Sequence, residues 1–179
     1  MDDELSPSTL NCGGHITIAV NDFTGQELNE KVRLNASILL ALFRKRLKNN
    51  YVRHNLRMQS YSNILVDGNP NRLNHFNGWD RKYQLALAKG STLEFRLPTR
   101  ITSYKQMFRR YELMYQIVDF SITKPNGRFS TLLNKVKPTI LSMYEGDTVK
   151  VDMIMSLAKD FYKFMKSGTV SNSIRDFIM

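Results

Sequence analysis

The sequence predicts an α+β fold: a small, mostly antiparallel sheet with helices packed on one face, followed by a helical C-terminal region. Three observations lead there. Gly14-His15-Ile16-Thr17-Ile18-Ala19-Val20 and Thr92-Leu93-Glu94-Phe95-Arg96-Leu97-Pro98 each alternate apolar and polar side chains, the period of a strand. Tyr83-Gln84-Leu85-Ala86-Leu87 alternates too, and Lys89-Gly90-Ser91 turns it directly into the Thr92 segment, as in a hairpin. Beyond Pro98 the apolar residues recur at helical spacing. A chain of 179 residues fits one domain of ordinary size.

In chain order, residues 1–11 read as a flexible lead-in, acidic and polar at the start. The strand at 15–20 puts Ile16, Ile18 and Val20 on one face and His15, Thr17 and Ala19 on the other. Asn21-Asp22-Phe23-Thr24-Gly25 is turn chemistry, and Thr24-x-x-Glu27 has the form of a capping box. A helix is expected over 26–47, with Leu28, Val32, Ala36, Leu39, Leu40, Phe43 and Leu47 as its apolar stripe. Residues 49–77 are rich in Asn, Gly and Arg, contain the turn Asp67-Gly68-Asn69-Pro70, and read as mostly irregular.

The hairpin follows, with Leu93, Phe95 and Leu97 on its greasy face and Thr92, Glu94 and Arg96 opposite. A helix over 103–120 should turn Tyr104, Met107, Phe108, Tyr111, Met114, Tyr115 and Val118 inward. Pro125-Asn126-Gly127 breaks the chain before a helix over 130–143, disturbed at Pro138. The last helix, over 148–165, uses Val151, Ile154, Met155, Ala158, Phe161, Tyr162 and Met165. These aromatic and methionine stripes read as core.

The formal net charge is +10. No Asp or Glu occurs between Lys31 and Val66, whereas Arg33, Arg44, Lys45, Arg46, Lys48, Arg53 and Arg57 all fall there. Such a run is either a solvated face or a patch for polyanions. With Tyr51 and Tyr61 interleaved, the 44–57 stretch suits nucleic acid. The apolar run 38–43 is far too short to cross a bilayer, so no membrane span is expected. The opening residues lack the pattern of a secretory signal. Cys12 is the one cysteine, which excludes an internal disulfide and a cysteine-rich zinc site and points to a reducing, cytoplasmic setting.

The polar faces of the two strands hold the candidate chemistry. Gly13-Gly14 lets backbone approach closely beside His15. Glu94 and Arg96 share a strand face about 7 Å apart. Glu94 suits a hard divalent cation, and Arg96 can fork onto a phosphate or carboxylate. A lone histidine is more often structural, and a surface ion pair is worth only about 0–1 kcal/mol. His54 and His75 lie in the irregular stretch. No nucleophile has a convincing base: Ser, His and acid are not grouped, and Cys12 has none.

Three motifs in order carry a resemblance. Cys12-Gly13-Gly14-His15-Ile16-Thr17-Ile18 resembles the Gly-x-His-hydrophobic-His strand of the amidoligase family, carboxylate–amine ligases of glutamine-synthetase-like fold. Asp80-Arg81-Lys82-Tyr83-Gln84-Leu85-Ala86-Leu87 is similar to its next strand, and Thr92-Leu93-Glu94-Phe95-Arg96-Leu97 to its hydrophobic-Glu-hydrophobic-Arg strand. The likeness covers 12–120, leaving 121–179 as the helical C-terminal region. It implies an ATP-dependent ligase that forms an amide through an acyl phosphate, with ATP and Mg2+ (or Mn2+) as cofactors.

The resemblance further implies His15 and Glu94 as metal ligands, Glu94 and Arg96 as catalytic residues, and Arg53, Arg57 and Arg81 at the nucleotide. Thr17 stands where the family has its second His. The family's earlier Glu-x-Glu strand has no counterpart here, so the chain resembles the C-terminal part only. A truncated or split ligase is then expected, with a partner chain supplying the missing strands. The alternative is a non-catalytic basic protein on the same fold, binding nucleic acid or a partner chain.

Overall fold

The computed structural model describes residues 14–61 and 84–179. The expected lead-in, the Asp67–Pro70 turn, His75, Arg81 and Tyr83 lie outside the described residues, as do Cys12 and Gly13.

The fold is α+β. Strands β1 (Ile16–Ala19), β2 (Ala86–Lys89) and β3 (Thr92–Phe95) form one sheet in the order β1-β3-β2, antiparallel at both junctions. Alternation works as expected: Ile16 and Ile18 are buried while His15, Thr17 and Ala19 are exposed. Gly90, with φ +47°, makes the two-residue turn from Lys89 to Thr92. The sheet's apolar side packs on helices. Leu85, Leu93 and Phe95 face Val32, Leu40 and Met165 across a cavity of about 40 Å³.

The helix expected over 26–47 is three pieces: α1 (Gly25–Val32), α2 (Ser37–Leu42) and a 3-10 turn (Arg44–Lys48). The capping box starts it, with Thr24 and Glu27 bonding each other's backbone N–H. After Val32 the bonding tightens: Ser37 N–H reaches Leu34 C=O, and the Ser37 hydroxyl takes the same carbonyl. All six residues of α2 are buried. An apolar run that is buried all round cannot lie on the stripe of one straight, half-exposed helix, so the chain turns and drives α2 into the core against α6 (Thr148–Ser167).

Residues 50–61, expected to be irregular, form α3 (Asn50–Tyr61). The Asn49 side chain caps it by accepting from Tyr51 N–H and Val52 N–H. Val52, Asn55 and Leu56 then give it a buried face.

α4 (Tyr104–Thr123) begins on its Ser103 cap. Its inward face differs in part from the expected one. Met114 and Val118 are buried as expected, with Leu113, Ile117 and Phe120, but Tyr104, Phe108, Tyr111 and Tyr115 are exposed at 81, 66, 49 and 61%. The helix carries two apolar stripes, and the aliphatic one faces the core. α5 (Phe129–Met143) runs through Pro138, and α6 ends at Gly168. Val151, Ile154, Met155, Ala158, Phe161 and Met165 of α6 are core, as expected, and half-buried Tyr162 stacks on Phe129 at 4.4 Å. A short α7 (Asn172–Ile178), not foreseen, adds Ile174 and Ile178. Among the described residues no helix is long and apolar enough to cross a membrane.

Candidate functional site

The sheet's register assembles the site. Thr17 pairs with Glu94, and Ile16 with Phe95. Continued one step, this sets His15 opposite Arg96. Across the hairpin Lys89 pairs with Thr92, so Lys89 lies diagonal to Glu94 on the same face. Gly14 permits the arrangement by coming close to another backbone. Its N–H bonds Pro98 C=O at 3.1 Å, and a Cβ there would run into the Thr99 carbonyl. The close approach expected at this glycine is therefore to the protein's own chain.

His15, Glu94 and Arg96 converge. The Glu94 side chain is only 9% exposed. Its Oε1 accepts from Arg96 Nη1 and lies 3.4 Å from His15 Nδ1, and its Oε2 accepts from Lys89 Nζ. Arg96 is itself mostly buried, and its Nε–H is buried with no hydrogen-bond partner among the described residues.

The electrostatics follow from these contacts. Burial pushes the His15 imidazole below its usual range and Arg96 pushes it further; Glu94 pulls the other way, and Arg46 and Lys89 add to the lowering. Burial works to raise the Glu94 carboxyl, but the Lys89 hydrogen bond and the charges of Arg96, Lys89 and His15 outweigh it and hold it below the usual carboxylate range. At neutral pH the cluster is thus one carboxylate, two cations in contact with it, a neutral imidazole, and Arg46 close enough to act on His15.

This donor set fits an oxyanion better than a resident divalent ion. His15 and Glu94 would be the ligands, yet both Glu94 oxygens already accept from cations, and a metal would have to displace Lys89 or Arg96. Among the described residues no three His, Cys, Asp or Glu side chains are grouped. An oxyanion would meet the two part-exposed groups, Lys89 and the imidazole.

Of the other expected residues, Arg53 and Arg57 are on α3, and Arg81 lies outside the described residues. Arg53 bonds Asn50 on its own helix, and α3 packs on the 3-10 turn, α6 and α7. Neither Arg53 nor Arg57 is among the charges acting on Glu94. His54 is exposed on α3. Lys89 and Arg46 were missed as site residues. The sequence offered Lys89 only as part of a turn, although counting back from the two-residue turn would have set it beside Glu94. Comparison with protein-family models, with curated proteins and with solved structures finds no match.

Proposed function

We propose that the polar face of the sheet binds the phosphates of ATP, and that the chain is an amidoligase-like, ATP-dependent carboxylate–amine ligase or the part of one that carries its phosphate site. One observation supports this above the rest: two cations are held on one buried carboxylate, Arg96 through Nη1 and Lys89 through Nζ, with Lys89 half exposed and a neutral imidazole at the same carboxylate. A phosphate oxygen would accept from the Lys89 ammonium protons that Glu94 does not take, a charge-assisted bond.

In the reaction, the γ-phosphoryl group of ATP passes to a carboxylate and ADP leaves. An amine then attacks the acyl phosphate, the amide forms and inorganic phosphate leaves. Charge spreads over the phosphoryl oxygens in the first step. Arg96 and Lys89 are the groups that meet it, Glu94 fixes both, and His15 offers a hydrogen bond. The nucleotide enters as its magnesium or manganese complex, whose ion draws its ligands mainly from phosphate and water. Among the described residues the outer edge of β1 has no neighbouring strand, which is where a partner chain's strand would add in a split enzyme.

Calorimetric titration of the whole chain with MgATP tests this. Lys89→Gln and Arg96→Gln should each weaken binding tenfold or more, the loss of a charge-assisted bond of about 1.5–3 kcal/mol. Glu94→Gln should weaken it as well, by releasing both cations from their positions. Loss confined to Glu94→Gln, with both cation variants binding as wild type, would replace the anion site by a metal on Glu94.

A further inference from the structure

A second basic region is lined by helices and by Thr99, just past β3. An open groove of about 650 Å³ runs between the α2–3-10 junction, the start of α4 and the end of α5. Arg44, Lys45, Lys105, Arg109, Arg110 and Lys150 line it, and the acidic side chain on its wall is that of Glu145. None of these six cations takes part in an ion pair among the described residues.

Arg110 is the most telling. It is 5% exposed, so its charge is buried in the wall. Its guanidinium donates to Thr99 C=O, Thr99 Oγ1 and Arg100 C=O and lies 5.1 Å over the Phe43 ring, while its Nε–H is buried with no partner among the described residues. Among those residues no carboxylate pairs with it. A buried cation without a counter-charge is unfavourable on its own, and an anion in the groove relieves it.

The same helix carries the exposed aromatic stripe. Tyr104, Phe108, Tyr111 and Tyr115 recur every three or four residues, a row about 16 Å long at 1.5 Å per residue. Lys105 and Arg109 are one helical turn apart on the neighbouring flank, and Lys105 and Phe108 are adjacent at i, i+3. A row of open rings beside a basic groove offers base stacking and phosphate contact at once. An acidic peptide would use the cations and leave the rings idle. A duplex would do the same, because its bases are already stacked on one another.

We propose that the α4 aromatic row and the adjoining groove form a binding site for single-stranded nucleic acid, separate from the phosphate site on the sheet. The phosphates run along Lys105, Arg109 and the groove cations, and the bases stack on Tyr104 and Phe108.

Fluorescence anisotropy of the whole chain with labelled oligo-dT and oligo-U of 20 nucleotides, and with a duplex of the same length, tests this. Both single strands should bind at least tenfold more tightly than the duplex, and a preference between them separates DNA from RNA as the natural ligand. With four phosphate contacts, affinity should fall about 50-fold between 50 and 200 mM salt. Tyr104→Ala/Phe108→Ala, which removes exposed side chains, should weaken single-strand binding at least tenfold without changing the salt slope or MgATP binding. Lys105→Gln/Arg109→Gln should flatten the slope by about 1.4. The site is overturned if the duplex binds equally well, if salt has no effect, or if the aromatic variant binds as wild type. It is also overturned if light scattering shows that the aromatic variant dissolves a dimer, since the row would then cover a second copy.

Discussion

Glu94 has both carboxylate oxygens engaged, by Arg96 and Lys89, and a neutral imidazole 3.4 Å away. The titrations of these groups are therefore linked to folding. The folded His15 binds its proton less readily than an unfolded one. As pH falls below the ordinary imidazole value of about 6.5, the unfolded chain gains the proton first and stability drops, levelling only once the folded imidazole is also charged. Glu94 is depressed as well, so its stabilising contribution is present above the ordinary carboxyl range and is lost as pH falls through its folded value. An NMR titration, assigned with His15→Asn, should give His15 a midpoint below the ordinary value in the free protein. Bound ATP should move it upward, because a phosphate beside the ring favours the imidazolium. A midpoint at or above the ordinary value would remove His15 from this environment. Gly14 is the other residue on which the geometry depends. Gly14→Ala should cost about 1–3 kcal/mol in chemical denaturation, since a Cβ there meets a backbone carbonyl that cannot swing away.

At the scale of elements, the hairpin carries both core and site. Leu93 and Phe95 are 1% and 2% exposed, on the face opposite Lys89. Leu93→Ala should cost about 2–5 kcal/mol, and a near-neutral result would mean that the strand faces the other way. The helices show where pattern and placement part. β1, β3, the capping box and the α6 stripe were legible because each uses one periodicity with one exposed side; β2 lies at Ala86–Lys89 rather than 83–87 and shows no such alternation. The break after Val32 was not, because an apolar run cannot announce that it is buried all round. α3 was hidden by its Asn and Arg content, although Asn49 followed by Val52 and Leu56 is a cap and a stripe. The inward face of α4 was misassigned because two stripes compete, and ring size does not decide which one the core takes. Pro138 sits within α5 on an exposed position and removes a backbone donor. Pro138→Ala should raise stability by about 1–3 kcal/mol, measured by thermal or urea unfolding.

For the whole molecule, two groups of cations of different chemistry stand out among the described residues. On the sheet, cations surround a carboxylate; alternation showed which side chains share the polar face of each strand, but the pairing of β1 with β3 that sets His15 across from Arg96 was not legible. Lys89 was harder to see, because its role comes from a diagonal across a turn. The groove was not readable at all: its cations come from the basic run after α2, from α4 and from α6, segments joined only by the packing of helices. The central proposal is the phosphate site on the sheet. Calorimetric titration of the wild-type chain with MgATP and, in parallel, with adenosine tests it most directly. ATP should bind saturably and be displaced by pyrophosphate, while adenosine should give no binding heat. Equal binding of adenosine, or no binding of ATP, would contradict it.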